Sequence, residues 1–331
     1  MRTITMPKLL KYKGSSSTLK PDAGHRKLIE QGAEADINRC WTCGSCDFEC
    51  PVNVATGQLR PQKIVRMANL GMLDELLHEP AIWYCLTCRR CLQICPNTVK
   101  PSDLIAHIRR ISMKRNIIST DKNRAYRILF ERFQRVRKHA VVMSFHGRFN
   151  SISDRQWCDW LLTPVSESRR TISFKSTESS LNESSKSNNT ARAAACFTCG
   201  ECSSACPVSC ERSVFDPRTL FRMFNLGLTD ELLSSPAIWL CLDCGRCTSV
   251  CSQLVDGREI IRRLKEDAIQ RGIIDRNFFP RLEQANRLVY NRWLQEVDAL
   301  FGFNGSAHQT GTTGVNDFSA CCQNYSLAIS T

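Results

Sequence analysis

The stretch that decides the fold of this 331-residue chain runs from Cys40 to Pro51 and reads CWTCGSCDFECP. Three cysteines follow one another with two residues between them, and a fourth comes after three residues, directly before proline. The same spacing returns from Cys85 to Pro96 as CLTCRRCLQICP. Cysteines at such regular spacing are typical of a metal or cluster site rather than of a disulfide framework.

An internal repeat carries this pattern a second time. Cys196 follows Cys40 at an offset of 196 − 40 = 156, and Cys241 follows Cys85 at the same offset. All sixteen motif cysteines superpose at that offset without insertion or deletion, and so do many of the residues between them. The chain therefore contains a duplicated module.

The spacing predicts four [4Fe–4S] clusters, two in each copy of the module. Two residues between successive cysteines allow one tight loop to give three thiolates to one cubane, while the fourth cysteine completes the neighbouring cluster. In copy one, this rule assigns Cys40, Cys43, Cys46 and Cys95 to one cluster, and Cys85, Cys88, Cys91 and Cys50 to the other. In copy two, it assigns Cys196, Cys199, Cys202 and Cys251 to one cluster, and Cys241, Cys244, Cys247 and Cys206 to the other.

Structural zinc is the alternative for a set of four cysteines, and it usually uses two CxxC pairs. Zinc gives no reason for a third cysteine at the same spacing and an exchanged fourth, so the pattern favours iron and sulfide. Ser252 follows Cys251 where the other three quartets have proline, so we expect that cluster to differ in stability or potential. Four cysteines lie outside the motifs and their roles stay open: Cys158, Cys210, Cys321 and Cys322.

Composition restricts the compartment and the partners. The first residues contain no apolar run long enough for a signal peptide, and no stretch approaches the roughly 20 apolar residues that cross a bilayer. We therefore expect a cytoplasmic chain without a transmembrane segment, whose association with a membrane would be peripheral and through partners. The formal charge of +13 is compatible with nucleic acid, a membrane surface or an acidic protein partner.

Hydrophobic periodicity indicates helices and gives no alternating strand. The predicted fold class is all-α, with two tandem α-helical ferredoxin-like domains that each hold two clusters. Pro61 and Pro217 suit the first turns of helices, Asp216 suits an N-cap, and Gly71 and Gly227 suit helix ends. The predicted organisation is an N-terminal extension (1–30), a first dicluster domain with a C-terminal helix (31–165), a flexible linker (166–192), a second dicluster domain with a C-terminal helix (193–301) and a disordered tail (302–331).

Two further features each allow two interpretations. Trp83 and Trp239 stand two residues before a cysteine, where an aromatic ring can shield a cluster from water or fill the core. A basic run after the second quartet is either a solvated helix face or a docking surface for a redox partner. Its members are Lys122, Arg124, Arg127, Arg132, Arg135, Arg137 and Lys138.

The chain resembles the C subunit of heterodisulfide reductase. The likeness lies in the paired quartets and in four stretches that copy two largely repeats, and it extends over residues 30–118 and 190–272. The stretches are Arg66-Met67, Asn69-Leu70-Gly71, Asp74-Glu75-Leu76-Leu77 and Trp83-x-Cys85. The chain looks like two such subunits fused in tandem.

This resemblance implies a helical ferredoxin domain with two [4Fe–4S] clusters, which passes electrons between a flavoprotein subunit and a catalytic subunit with CCG domains. Related modules also occur in succinate dehydrogenase-like, glycerol-3-phosphate dehydrogenase-like and quinone-interacting complexes. The alternative is therefore the iron–sulfur subunit of a glycerol-3-phosphate or succinate dehydrogenase-like respiratory complex.

Three functional classes compete for this sequence. An electron-transfer subunit fits, because each cluster would receive four thiolates and keep no open iron for a substrate. An enzyme in its own right would need a flavin site, a dinucleotide loop or an acid–base pair, and the sequence offers none of these signals. Nucleic-acid binding rests on the positive charge alone. We therefore expect an electron-transfer subunit of an oxidoreductase complex that is not catalytic alone and has no nucleic-acid partner.

Overall fold

The computed structural model describes residues 21–164 and 191–303. Every regular element in those ranges is helical, which confirms the all-α prediction. None of the helices in those ranges has both the length and the hydropathy of a membrane span. Nearly all of the predicted linker and tail lies outside the described residues, as do Cys321 and Cys322.

Both copies consist of short helices around the cysteine loops, followed by longer helices. Copy one contains α1 (Ala23–Ala33), α2 (Ser45–Glu49), α3 (Pro51–Thr56), α4 (Pro61–Asn69), α5 (Leu73–His78), α6 (Ala81–Tyr84), α7 (Arg90–Gln93), α8 (Pro101–Lys114), α9 (Thr120–Phe145), α10 (Asp154–Leu162) and a 3₁₀ turn at Ile37–Arg39. Copy two contains α11 (Glu201–Ala205), α12 (Pro217–Asn225), α13 (Thr229–Leu233), α14 (Arg246–Ser249), α15 (Gly257–Gln270), α16 (Phe278–Phe301) and 3₁₀ turns at Ala193–Ala195 and Pro236–Leu240.

Proline and glycine bound the central helix of each copy as the sequence predicts. Pro61 occupies the first turn of α4, and Gly71 follows the helix with a left-handed φ of 70°. A Cβ atom on Gly71 would lie 1.8 Å from the carbonyl oxygen of Asp22, so this close approach of two backbones requires glycine. Pro217 and Gly227 bound α12 in the same way, with φ at Gly227 of 73°.

Asp216 is the N-cap residue of α12, as predicted, but its side chain does not cap the helix. Asp216 has the extended backbone of a cap residue, but its side chain makes no capping bond and instead accepts a hydrogen bond from Ser203. The Ser203 hydroxyl accepts the N–H of Arg218 at 3.2 Å, and at the equivalent position of copy one Asp47 Oδ1 accepts the N–H of Gln62 at 2.7 Å. A side chain from the first cysteine motif therefore caps the central helix in both copies.

The long helices cross between the copies. Helix α9 of copy one packs against the Pro236–Leu240 turn of copy two, while α16 of copy two packs against α3 and α6 of copy one. The helices α9 and α16 also pack extensively against each other. Because each copy places its long helix on the other, the buried residues of both copies form a single hydrophobic core.

Buried hydrogen bonds fix this exchange of helices. The Tyr84 hydroxyl donates to Asp298 Oδ1 at 2.6 Å, and Trp293 Nε1 donates to the Tyr84 carbonyl at 3.2 Å. Burial, together with the Asp298 carboxylate, raises the pKa of Tyr84, which keeps its hydroxyl protonated as the donor. The long helix of copy two is thus joined to copy one at the residue that precedes Cys85.

Candidate iron–sulfur sites

Each cysteine loop has the same unusual backbone. In all four quartets the residues two and four positions after the first cysteine have positive φ, and most of these residues are not glycine. Left-handed conformations outside glycine are uncommon and cluster at functional sites. The pairs are Thr42 and Gly44, Thr87 and Arg89, Thr198 and Gly200, and Asp243 and Gly245. This repeated turn leads into the short helix that carries the third cysteine.

The cysteines surround four cavities, which we name A, B, C and D. Cavity A is lined by Cys40, Cys43, Cys46 and Cys95, and cavity B by Cys50, Cys85, Cys88 and Cys91. Cavity C is lined by Cys206, Cys241, Cys244 and Cys247, and cavity D by Cys196, Cys199, Cys202 and Cys251, with Cys247 also at its border. Each cavity combines three cysteines of one quartet with the fourth of the other. These groups are the predicted ligand sets, while iron ligation itself stays a prediction.

The residues present fit a [4Fe–4S] cluster in each cavity. The donors are all cysteine sulfurs, and apolar side chains such as Leu59 and Ile105 in cavity B and Phe215 and Ile261 in cavity C complete the walls. Within residues 21–164 and 191–303, no group of three or more His, Cys, Asp or Glu side chains is arranged to hold a single metal ion. Four cysteine sulfurs that line one cavity are the donor set of a cubane.

Burial raises the pKa of half of the sixteen motif thiols and so favours their protonated form. Burial is the main cause that raises the pKa of Cys46, Cys88 and Cys206 to about 12. The exposed Cys43 differs, because a hydrogen bond with Ser45 lowers its pKa. The thiolate is the form that binds iron, so cluster binding must release protons from the buried cysteines.

Backbone amides donate to the cysteine sulfurs from the strained turns. The N–H of Thr87 donates to Cys85 Sγ at 3.4 Å, and the N–H of Asp243 donates to Cys241 Sγ at 3.3 Å. The amide of Thr198 makes the same contact with the first cysteine of its own quartet at 3.4 Å. Hydrogen bonds to the ligating sulfurs are one of the factors that set cluster potentials. The left-handed turns therefore have an electrostatic role as well as a steric one.

A basic side chain holds the first cysteine of each second quartet. Arg109 Nη2 donates to the carbonyl of Cys85 at 2.8 Å, and Lys265 Nζ donates to the carbonyl of Cys241 at 3.3 Å. Each charge also lies over the tryptophan two residues before that cysteine, at 5.3 Å and 5.9 Å from the ring centroid. Residues 109 and 265 are related by the repeat offset, and this was the signal that could have identified them from sequence. Positive charge beside a cluster favours its reduced form.

The two tryptophans belong to the aromatic core. Trp83 is 1% exposed and its ring lies 5.5 Å from that of Tyr126 and 4.6 Å from that of Phe301. Trp239 packs against Phe278 at 4.8 Å. Neither tryptophan lines cavity B or cavity C. Of the two interpretations, the structure supports core packing.

The basic run lies on α9, where several members contact copy two. Lys122 Nζ donates to the carbonyl of Phe301 at 3.1 Å, Arg135 forms an ion pair with Glu211, and Lys138 donates to a backbone carbonyl of copy two. The exposed members include Arg124 and Arg127. Neither sequence interpretation describes this arrangement, because much of the run lies along the seam between the copies. Of the cysteines outside the motifs, Cys158 and Cys210 line none of the four cavities.

Comparison of the sequence with known proteins finds one family model and several curated relatives. A family model described as a 4Fe-4S dicluster domain matches residues 18–99 and 191–255. A protein of Archaeoglobus profundus, named for its likeness to the C subunit of heterodisulfide reductase, is 33% identical over 117 residues, which cover 35% of this chain and 59% of that protein. The second C-type iron-sulfur subunit of the CoB–CoM heterodisulfide reductase of Methanocaldococcus jannaschii is 38% identical over 79 residues, which cover 24% of this chain and 41% of that protein.

A third relative is the C subunit of the H2:CoB–CoM heterodisulfide,ferredoxin reductase of Methanothermobacter thermautotrophicus, 33% identical over 28% of this chain and 50% of that protein. The chain spans about half the length of the curated relatives it matches. No solved structure matches it. The chain matches the 4Fe-4S dicluster family model in two segments and is similar to the C subunits of the heterodisulfide reductases.

Proposed function

We propose that this chain is an electron-transfer subunit of a heterodisulfide reductase-like complex and holds four [4Fe–4S] clusters. The observation that carries the proposal is the exchange of the fourth cysteine, which gives each of the four cavities a complete set of four sulfurs. Iron bound on every corner by cysteine has no open position for substrate, so the chemistry supplied is one-electron transfer. The proposed ligands are the sixteen motif cysteines.

Cavities A and D offer contacts for the partners. Cys43 and Cys199 are exposed, and beside them the repeat-related Trp41 and Phe197 are 76% and 73% exposed. Exposed aromatic side chains at a redox site are typical of a protein docking surface. We propose that a flavoprotein-type donor docks at one of these surfaces, and a catalytic CCG-domain or quinone-linked partner at the other. The complex would work in the cytoplasm and reach a membrane only through its partners.

Metal content is the first test of this proposal. The chain purified without oxygen should carry about sixteen iron and about sixteen acid-labile sulfide, from four clusters. Stoichiometric zinc without sulfide would contradict the proposal directly.

Ligand exchange is the sharper test of the site. Cys95→Ser should damage the cluster of cavity A and spare that of cavity B, so its reduced EPR spectrum should change as in Cys43→Ser. Cys50→Ser should do the reverse and resemble Cys88→Ser. If Cys95→Ser instead behaves like Cys88→Ser, each quartet holds its own cluster and the exchanged assignment is wrong.

Docking is tested by removing one exposed ring at a time. Trp41→Ser and Phe197→Ser should each slow electron exchange with one partner of the native complex, while reduction by dithionite stays unchanged. Ile269→Ser is the matched control, since it also removes a half-exposed apolar side chain but borders none of the four cavities. Equal effects of all three variants would show that the partners do not dock at cavities A and D.

A further inference from the structure

The second quartets of the two copies face each other. Arg246 Nη1 of copy two donates to the carbonyl of Thr87 in copy one at 3.2 Å. A Cβ atom on Gly245 would lie 3.6 Å from Cδ of Gln93, which is ordinary van der Waals contact across the copies. Thr87 precedes Cys88 and Gly245 follows Cys244, so the cysteine loops of cavities B and C touch.

Copy two also supplies a buried group beside cavity B. Tyr290 lies on α16 and is 2% exposed. Helix α16 packs against α3, which begins at Pro51, directly after Cys50 of cavity B.

A buried cation, Arg137 on α9, lies between the same two cavities. Its side chain is almost fully enclosed, with the residue 4% exposed. Nη2 donates to the carbonyl of Leu240, the residue before Cys241 of cavity C, at 3.3 Å. On the other side the guanidinium lies 5.8 Å from the ring of Tyr290, beside cavity B.

The hydrogen bonds of Arg137 leave its charge uncompensated. Nη1 donates to the neutral amide of Gln134 at 2.8 Å, and Nε is buried without a hydrogen-bond partner. Within the two described ranges no carboxylate forms an ion pair with this guanidinium. A buried charge is strongly unfavourable unless an opposite charge lies nearby. A cubane bound by four thiolates carries net negative charge, and cavities B and C would place two of them beside Arg137.

We propose that cavities B and C form one electron-transfer junction between the copies, with Arg137 as the counter-charge shared by both. This inference rests on the proposed function and adds the route through the chain, in the order A, B, C, D. Crossing the junction moves one electron: a reduced centre in one cavity is oxidised while the centre in the other is reduced, with no proton transferred and no bond made. The initial electron comes from a low-potential one-electron donor, for which dithionite serves in the test.

Magnetic coupling tests the junction itself. A full-length variant with Cys40→Ala, Cys43→Ala, Cys196→Ala and Cys199→Ala should keep clusters only in cavities B and C. After reduction with dithionite, its EPR spectrum should show the splitting or broadening of two interacting spins. Two independent spectra from a sample with the iron of two clusters would overturn the junction, yet leave the proposed function intact. Wild-type chain without iron and sulfide would instead refute the proposed function.

Replacement of Arg137 keeps the inference testable if the cysteine variant does not fold. The measurement is made at a potential where the wild-type clusters of cavities B and C are half reduced. In Arg137→Gln, the ratio of reduced to oxidised cluster at that potential should fall on the order of tenfold in both cavities. Arg137→Lys should restore most of that ratio. The control is Arg135→Gln, two residues away on α9, which should leave it unchanged. A shift confined to cluster C, or no shift in either, would show that Arg137 is not shared by the junction.

Discussion

Truncation of Trp83 tests whether this ring serves the core or the cluster. The side chain is 1% exposed and packs between Tyr126 of copy one and Phe301 of copy two. A tryptophan buries about 150–250 Å², and at about 25 cal/mol per Å² this area corresponds to about 4–6 kcal/mol. Because unfolded chains already bury part of that area, we expect Trp83→Ala to lower the free energy of unfolding by about 3–5 kcal/mol.

Trp83→Phe should be much milder. The indole Nε1 is buried without a hydrogen-bond partner among the described residues, so the change loses no hydrogen bond and keeps an aromatic ring in the cluster of rings. We expect this substitution to lower the free energy of unfolding by about 1–1.5 kcal/mol. Trp239→Ala provides the comparison in copy two, where the ring is 7% exposed and packs against Phe278, so its loss should be somewhat smaller.

Denaturant unfolding without oxygen, followed by far-UV circular dichroism on samples with matched iron content, measures these differences. An EPR-monitored redox titration of the same samples gives the cluster potentials. Since Trp83 does not line cavity B, the potential of that cluster should change little while stability falls. Our reasoning is refuted if Trp83→Ala keeps its stability but shifts the potential, or if Trp83→Phe is as damaging as Trp83→Ala.

Three further predictions concern the fold. Gly71→Ala should be more destabilising than Gly57→Ala by several kcal/mol in thermal unfolding, because both have positive φ but only Gly71 would meet the backbone at 1.8 Å. Tyr84→Phe and Asp298→Asn should each lower the free energy of unfolding by about 1–3 kcal/mol. The double variant should lower it by clearly less than the sum of the two, whereas independent sites would give the full sum. Burial lowers the pKa of His107 in the folded chain. Near pH 6.5 the unfolded chain therefore binds more protons at this histidine than the folded chain does. Wild-type stability should therefore fall as pH drops through about 6.5, and it should fall less in His107→Gln.

The cysteine spacing predicted more of this molecule than the hydrophobic pattern did. Spacing alone grouped Cys95 with Cys40 and Cys50 with Cys85, because a rigid loop can direct three neighbouring sulfurs to one cavity but not the fourth. The helix bounds at Pro61 and Gly71 were also predictable, since both residues act through their own backbone. The cap of α12 was not, because Ser203 lies 15 positions before the amide of Arg218 that it accepts.

The exchange of long helices could not be read from the sequence. Amphipathic patterns show that α9 and α16 each bury a face, but they do not show which surface covers that face. The basic residues of α9 were misleading for the same reason, because Arg135 finds its partner Glu211 in the other copy. Arg109 and Lys265 could have been identified from the sequence, since the repeat offset aligns them. Their contact with a cysteine carbonyl could not, because it depends on the fold.

The packing of the copies gives a physical reason for the exact register of the repeat. Cavities B and C meet through the residues next to their cysteines, with Arg246 on Thr87 and Gly245 against Gln93. An inserted residue between the quartets of either copy would move one of these loops away from the other, while each copy could still bind its own clusters. Helices α9 and α16 would no longer fit the opposite copy either, because their contacts depend on the same relative position. The junction therefore constrains the spacing more strictly than cluster binding alone would.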